Sequence, residues 1–311
     1  MIFDEVILDD MDEELTKEYW EELRLADEKT LEKNVDLRVL SLGAGVQSSF
    51  VLFKMLEEKI KPADIAIFAD TGNEPKEVYD WLEKLIKLSK NKINIEIVKN
   101  KANTGNIVED YKAETGRHSL IPTHIKNADG TSGFSRRTCT MEYKINPIQQ
   151  KVRDMFGVKS LQGYVVEMVM GISKDEVQRA KRPPTKWQVS CYPLIENDIH
   201  RLHIENYMKK TDYGTPPRSA CIICPFKDNK SWKHLKETSP EEFKQAIEFD
   251  DWLRDSTSKS NALDKFKKVS YEGAEQYLYR KKIPLKIANL DEPKDYQYTL
   301  FDDECEGMCG I

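Results

Sequence analysis

The 311-residue sequence has no apolar run of about eighteen residues, so it contains no candidate transmembrane helix. Its first residues, Met-Ile-Phe-Asp-Glu, provide neither the basic stretch nor the apolar core of a secretory signal peptide. Its formal net charge of −6 also lacks the positive excess of a protein that coats nucleic acid indiscriminately. These absences predict a cytoplasmic protein without a membrane partner.

Cysteine is scarce, with 6 residues in the chain, and a cytoplasmic location makes disulfides among them unexpected. Metal ligation or thiol chemistry is the expected use instead. Cys221-x-x-Cys224 has the spacing that lets two thiolates face one metal ion. Pro216, Pro217 and Pro225 surround it, which favours a rigid turn over the helix-opening dithiol of a thioredoxin-like unit.

Short apolar strands alternate with amphipathic helices through most of the chain. Strands are predicted at residues 37–42, 65–69, 93–97, 165–171 and 190–194, and helices at residues 48–59, 78–86 and 145–156. This alternation is typical of an α/β fold with a doubly wound, mostly parallel sheet, in which ligands bind outside the carboxyl ends of the strands. From residue 225 onward the pattern changes to helices, which predicts a helical C-terminal part.

A run of small residues joins the first predicted strand to the first predicted helix. It reads Ser41-Leu42-Gly43-Ala44-Gly45-Val46-Gln47-Ser48-Ser49. Small side chains let backbone N–H groups and a helix N-terminus face an anion, and the hydroxyls of Ser48 and Ser49 add donors. The run lacks the Gly-Lys-Ser/Thr of a Walker A loop and does not match the dinucleotide-binding fingerprint well. Taken alone, it fits a phosphate-binding loop and a plain glycine-rich turn equally well.

The same run resembles the PP-loop, Ser-Gly-Gly-x-Asp-Ser, of ATP pyrophosphatases and sulfonucleotide reductases. The motif is occupied by Gly43, Ala44, Gly45, Gln47 and Ser48. Gln47 stands in place of the usual Asp, and Gly43 in place of the first Ser. This departure keeps a loop suited to pyrophosphate but removes a carboxylate that would lie near a metal ion.

Three later segments are similar to the phosphoadenylyl-sulfate (PAPS) reductase-like branch of that superfamily, and they occur in the same order. Residues 68–74 look like its Asp-Thr-Gly segment, which lies near the adenosine. Residues 171–179 look like its Gly-x-Arg/Ser-x-x-Glu element, and residues 191–194 with 221–225 look like its Pro-Leu…Gly-Cys-x-x-Cys stretch. The resemblance spans residues 37–235, and the order of the motifs carries it more than any single motif.

The resemblance implies an adenine-nucleotide site at the strand ends, for ATP or for PAPS or adenylyl sulfate (APS), with Mg²⁺. The implied cofactor-binding residues are Ser41, Gly43, Ala44, Gly45, Gln47, Ser48, Ser49, Asp70, Thr71, Gly72, Gly171, Ser173 and Glu176. Arg137 and Arg179 each lie beside a predicted strand end, where a guanidinium group suits phosphate, and are candidate catalytic residues.

A metal centre is also implied by the resemblance. In assimilatory APS reductases a Cys-Cys pair precedes a Cys-x-x-Cys, and together they hold a [4Fe–4S] cluster. Cys139 precedes Cys221 and Cys224 at a similar distance, although Thr140 stands where the second cysteine of the pair would be. Cys191 is the candidate fourth ligand. Four thiolates suit a [4Fe–4S] cluster or, alternatively, zinc, and inert core cysteines are the third possibility.

The C-terminal segment carries two further cysteines, Cys305 and Cys309. Sulfonucleotide reductases resemble it in ending with a mobile Glu-Cys-Gly tail whose thiolate attacks sulfur, although the histidine that usually follows is missing here. Cys309 is therefore a candidate nucleophile or persulfide carrier. An incidental exposed thiol is the alternative.

Three functions are compatible with these patterns. The first is an ATP-dependent sulfurtransferase that adenylates a nucleic acid or small molecule, releases pyrophosphate and receives sulfur from a cysteine desulfurase or thioredoxin-like donor. The second is a sulfonucleotide reductase, and the third is a non-catalytic nucleotide-binding subunit of a multi-protein system. The predicted parts are an accessory helix at residues 1–35, a nucleotide-binding α/β domain at 36–224, a helical subdomain at 225–290 and a cysteine-containing tail at 291–311.

Overall fold

The computed structural model describes residues 34–101, 104–113, 121–135, 137–181, 183, 185–258 and 274–291. The predicted accessory helix and the cysteine-containing tail lie outside these residues, except at their inner ends. Within the described part of the chain, no helix combines the length and the apolar character that crossing a bilayer requires.

Eight strands are described, and five of them form one sheet. They are β1 (Leu37–Ser41), β2 (Ile65–Asp70), β3 (Asn94–Lys99), β4 (His124–Lys126), β5 (Ser132–Phe134), β6 (Val166–Met170), β7 (Gln188–Cys191) and β8 (Glu275–Tyr277). The larger sheet has the order β3-β2-β1-β6-β7, and every neighbouring pair in it is parallel. The predicted parallel α/β sheet is therefore confirmed.

The helices follow the strands in the alternation that the sequence predicts. They are α1 (Val46–Leu56), α2 (Lys76–Ser89), α3 (Ile107–Lys112), α4 (Asn146–Phe156), α5 (Pro193–Glu196), α6 (Arg201–Lys210), α7 (Asn229–Thr238) and α8 (Pro240–Ser258). A π-helical turn at Met141–Ile145 precedes α4, and 3-10 turns occupy Lys174–Arg179 and Leu285–Ile287. The strand predicted at residues 190–194 ends early, because Pro193 opens α5.

Apolar side chains cover both faces of the parallel sheet. On one face, Leu40 and Phe68 belong to a core with side chains of α1, α2 and α6. On the other face, Val39 and Ile67 pack with Ile148 and neighbouring residues of α4. Since helices bury both faces, the sheet is doubly wound.

The C-terminal part is mainly helical, as predicted, with α7 and α8. It also contributes strand β8, which pairs antiparallel with β4 to form a small three-stranded sheet with β5. A third core joins Trp232 of α7 and Phe249 of α8 to Ile107 and Tyr143 from the earlier part of the chain. The three-residue strand β8 is too short to show a period in the sequence.

The order of the strands identifies the position of a ligand site. β1 pairs with β2 on one side and with β6 on the other, so successive connections run in opposite directions from β1. In open α/β sheets the crevice at such a point, beyond the carboxyl ends of the strands, is where ligands bind. The segments after β1 and after β6 meet there.

Candidate functional site

The loop between β1 and α1 is a tight, buried turn. Gly45 caps α1 with extended backbone angles, and Ala44 before it has φ of 57°, in the left-handed region that few non-glycine residues adopt. The backbone N–H of Gly43 donates to Ser48 Oγ at 3.2 Å. The loop thus curls back onto the first turn of α1, with the helix N-terminus at the crevice.

Gln47 joins this loop to the segment after β6. Its side chain is completely buried, its Oε1 accepts from the backbone N–H of Ser173 at 3.0 Å, and its Nε2 donates to Glu176 Oε2 at 2.9 Å. Glu176 also forms an ion pair with Arg179. An aspartate at position 47 has no N–H to donate to Glu176, so the glutamine has a structural use of its own. Arg179, a predicted catalytic residue, is held by this ion pair.

Gly171 permits the close approach of β6 to the loop. A Cβ atom at this position would lie 2.8 Å from Ser48 N and 2.9 Å from Gln47 C, and both are backbone atoms that cannot easily move away. The predicted loop residues and the predicted Gly171-x-Ser173 segment are therefore in direct contact.

Three buried polar atoms in this region have no hydrogen-bond partner among the described residues: Ser41 Oγ, Ser173 Oγ and Glu74 Oε2. Ser41 and Glu74 line a narrow crevice together with Gly43, Lys144 and Ser219. Buried polar groups in proteins are nearly always paired, so unpaired hydroxyls beside a helix N-terminus fit a polar ligand. Ser219 contacts the loop directly, since its hydroxyl donates to the carbonyl of Gly43.

The Asp70-Thr71-Gly72 segment continues from β2 towards the cysteines. Asp70 accepts hydrogen bonds from the Gly72 N–H at 2.7 Å and from the Tyr79 hydroxyl at 2.8 Å, and its other oxygen lies 3.1 Å from Lys99 Nζ. Burial, followed by the bond to Asp70, raises the pKa of Tyr79, which keeps its hydroxyl a donor. Asp70 thereby holds the turn in which Thr71 is directed at Cys221.

Three predicted metal ligands, Cys139, Cys221 and Cys224, line one small pocket. Thr71 Oγ1 lies 3.2 Å from Cys221 Sγ, and Glu74 Oε1 lies 3.5 Å from the same sulfur. Arg137, Lys144 and Phe226 are also in the pocket wall. Lys144 lines both this pocket and the crevice beside the loop, so the two cavities are neighbours.

A buried cation supports the Cys221-x-x-Cys224 turn. Lys227 Nζ donates to the carbonyl oxygens of Cys221 at 2.7 Å and of Ala220 at 3.1 Å. Burial lowers the pKa of this lysine, whereas the neighbouring Cys224 and Cys221 act in the opposite direction. The two carbonyl contacts fix the backbone of the Cys221-x-x-Cys224 turn.

Cys191, the fourth predicted ligand, lies elsewhere. Its Sγ is 3.4 Å from Arg38 Nη2 and 3.9 Å from Glu196 Oε1. Burial raises the pKa of the Cys191 thiol to about 12, and the Glu196 carboxylate acts in the same direction. Its strand β7 is three strands away from β2, a lateral separation of roughly 14 Å at the usual strand spacing. The structure does not bring Cys191 together with the other three cysteines.

Among the described residues, no three His, Cys, Asp or Glu side chains are arranged closely enough to hold a metal ion. The three cysteines thus share a pocket wall without converging on one point. Cys309 lies outside the described residues, so its predicted role stays a prediction.

Sequence reasoning passed over three residues of the site. The sequence assigns no role to Lys144, Ser219 or Lys227. For Lys227, the signal was its place three residues after Cys224. Ser219 reaches the loop from 176 residues further along the chain, and nothing in the sequence indicates that contact.

No protein-family model matches the chain, and no curated protein is significantly similar to it. Among solved structures, the PAPS reductase from Candida auris in its phosphate complex matches with a TM-score of 0.38 and 16% identity, over 67% of this chain and 89% of that one. The U34-tRNA thiolase NcsA from Methanococcus maripaludis with its [4Fe-4S] cluster matches with a TM-score of 0.35 and 15% identity, over 75% of this chain and 78% of that one. Both are of the kinds that the motifs resemble, but at these TM-scores neither similarity establishes the fold or the function.

Proposed function

We propose that this chain is an ATP-dependent sulfurtransferase of the PP-loop kind, with the nucleotide in the crevice beyond β1 and β6. The sulfur chemistry would take place in the adjoining pocket lined by Cys139, Cys221 and Cys224, here called the thiol pocket. The observation that carries the proposal is the adjacency of the two cavities. Lys144 lines both cavities, one with the buried hydroxyl of Ser41, which is unpaired within the described chain, and the other with three cysteines.

The residues around the loop fit an anionic ligand. Gly43 of the loop that precedes α1 lines the crevice, and Ser41 Oγ offers a hydroxyl without a protein partner in the described chain. The crevice is too small to enclose a whole nucleotide, and the thiol pocket adjoins it at Lys144. A nucleotide whose phosphates lie at the loop would therefore extend past Lys144 towards the thiol pocket.

The thiol pocket fits a [4Fe–4S] cluster or zinc in its donor chemistry. Cys139, Cys221 and Cys224 are the residues that would hold the group, and Lys227 and Arg137 would offset the negative charge of their thiolates. The cluster or zinc ion, when bound, would supply a metal with a high affinity for sulfur, which could bind the sulfide to be transferred. Because Cys191 lies across the sheet, the position it was predicted to fill would fall to a different ligand.

The proposed reaction has two steps. An oxygen of the acceptor attacks the α-phosphorus of ATP, the bond to the β-phosphate breaks, and pyrophosphate leaves. Sulfur supplied as sulfide then attacks the acceptor carbon, and AMP departs with the oxygen. The loop would hold the pyrophosphate, and Arg137, which lies in the wall of the thiol pocket, would contact the α-phosphate.

Ser41→Ala tests the nucleotide site. Removal of a buried hydroxyl without a protein partner should not lower the stability of the protein, whereas the loss of a hydrogen bond to phosphate should weaken ATP binding about tenfold. Isothermal titration calorimetry measures the affinity, and urea unfolding measures the stability. Ser190→Ala is the matched control, because Ser190 Oγ in β7 is also buried and unpaired within the described chain but lies outside the crevice.

The two variants separate ligand recognition from packing. Ser190→Ala should bind ATP as the wild type does. Equal ATP affinity in Ser41→Ala and Ser190→Ala, or a wild-type protein that does not bind ATP, would remove the nucleotide site from the crevice.

A further inference from the structure

An aromatic ledge leads from the thiol pocket to the surface of the small sheet. It consists of Phe226, Phe134 and His124, with ring centroids 5.3 Å apart between Phe226 and Phe134 and 4.9 Å apart between Phe134 and His124. Phe226 is part of the pocket wall, so the ledge begins at the thiols. Phe134 is 43% exposed, so one face of its ring is open to a ligand while its edge contacts the other two rings.

The ledge is built by the register of the small sheet. His124 of β4 lies directly opposite Phe134 of β5, so both rings project from the same face. His124 Nε2 lies 3.3 Å from the carbonyl oxygen of Pro225, which links the sheet to the turn after Cys224. The guanidinium of Arg137 lies over the ring of Phe226, 5.1 Å from its centroid. The rings are thus held in place from the sheet and from the cysteine turn.

Cations surround the ledge although the whole chain carries a net charge of −6. Lys126 is exposed on the same strand as His124 and faces the same side of the sheet. Lys282 reaches the neighbouring strand, where its Nζ donates to Ser132 Oγ, and Arg280 lies near enough to act on His124. Glu275, opposite Lys126 on β8, is the carboxylate on this face, and it accepts from the Tyr277 hydroxyl at 2.6 Å.

We propose that the ledge binds a single-stranded segment of nucleic acid, with an unstacked base on Phe134 and the strand's phosphates along Lys126 and Lys282. Exposed aromatic rings combined with a basic rim are the combination by which proteins hold single-stranded bases, since every base has a face that can stack. The location makes that strand the acceptor of the proposed sulfur transfer, and the inference rests on the proposed function in this respect only. Binding itself depends on the ledge alone.

Fluorescence anisotropy with labelled 12-nucleotide strands tests the ledge in the full-length protein. An RNA strand and a DNA strand of the same sequence show which sugar is preferred, and a duplex of that sequence shows whether unstacked bases are needed. The wild type should bind a single strand more tightly than the duplex. Phe134→Ala should weaken binding about tenfold or more, because it removes one stacking platform.

Matched variants separate stacking from apolar contact. Phe134→Trp should retain binding, whereas Phe134→Leu, which keeps an apolar side chain without a π face, should lose it nearly as Phe134→Ala does. Leu202→Ala, at a 64% exposed residue of α6, should bind as the wild type does. Lys126→Gln should reduce the slope of log affinity against log salt by about one, while Lys87→Gln on α2 should leave that slope unchanged.

The results also distinguish this inference from the proposed function. Equal binding by wild type, Phe134→Ala and Phe134→Leu would overturn the ledge as a stacking site, and so would equal binding of duplex and single strands. If neither the RNA nor the DNA strand binds, the proposed nucleic-acid site is also wrong, and a protein partner becomes the alternative occupant of the ledge. ATP calorimetry on the same wild-type sample reports on the nucleotide site independently, so loss of one activity with retention of the other identifies which proposal fails.

Discussion

His124 is a histidine that the fold keeps uncharged. Burial lowers the pKa of its imidazole to about 4, the positive charges of Lys282 and Arg280 act in the same direction, and the carbonyl of Pro225 opposes them. The unfolded chain would protonate this histidine near the ordinary value of about 6.5. Between the two values the unfolded state binds the extra proton, so the folded state loses stability as the pH falls.

His124→Gln should remove part of the pH dependence of stability. Between pH 7 and pH 5, the wild type should lose about 2 kcal/mol more unfolding free energy than the variant, because only the wild type carries this titrating group. Urea unfolding of both proteins at each pH measures the difference. If the two proteins lose the same unfolding free energy over this range, His124 is not the buried neutral group that its surroundings indicate.

For Gln47, the sequence predicts membership of the loop motif but not the contacts of the side chain. Its place in the loop motif was predicted from the order of small residues around it. Its contacts with Ser173 and Glu176 were not, because they join residues more than 120 positions apart. The departure from Asp therefore had no explanation until the segment after β6 was placed against the loop.

The contact between the end of β6 and the first turn of α1 is the element pair on which the nucleotide site depends. It requires glycine at 171, since any side chain there meets the backbone of Gln47 and Ser48. The sequence motif included this glycine, but the reason for it is a distance between α1 and β6, which are separated by four strands along the chain.

Gly171→Ala should push β6 and the loop apart. The added methyl group meets backbone atoms at 2.8–2.9 Å, so we expect a loss of about 1–3 kcal/mol in unfolding free energy together with weaker ATP binding. Gly133→Ala is the matched control, because its Cβ would meet Ile125 Cβ at an ordinary 3.7 Å. Urea unfolding and calorimetry measure the two effects, and a Gly171→Ala protein as stable as Gly133→Ala would contradict the close approach.

Long periodic elements were predictable, and short ones were not. The strands and helices of the parallel sheet occur where the apolar period placed them, within a few residues at each end. The small sheet was missed because β4, β5 and β8 have three residues each, and because β4 pairs with β8 across about half of the chain. Because Phe134 lies in that sheet, the aromatic ledge could not be predicted from the sequence either.

The thiol pocket lies where the parallel sheet meets the C-terminal core. Cys221 contacts Thr71 at the end of β2, whereas Cys139 packs against the third core, with Trp232 and Phe249. The spacing of Cys221 and Cys224 predicted a shared site for these two thiols, and the family resemblance implied that Cys139 and Cys191 would join them. Only the arrangement of strands shows that Cys191, on β7, belongs to the opposite side of the sheet from β2 and not to this pocket.

Alanine variants of the four cysteines should therefore differ in their metal content, with three variants that lose the metal and one that keeps it. If the pocket holds a metal group, Cys139→Ala, Cys221→Ala and Cys224→Ala should each lose most of the bound iron or zinc after anaerobic purification, because each removes a thiolate from the pocket wall. Cys191→Ala is the matched control and should keep its metal, since its thiol contacts Arg38 and Glu196 instead. Metal analysis, with absorbance near 400 nm for an iron–sulfur cluster, measures the outcome.

Two results would contradict this division. If Cys191→Ala loses as much metal as Cys221→Ala, Cys191 is a ligand after all. If the wild-type protein contains neither iron nor zinc, the three thiols of the pocket are reactive groups and not metal ligands.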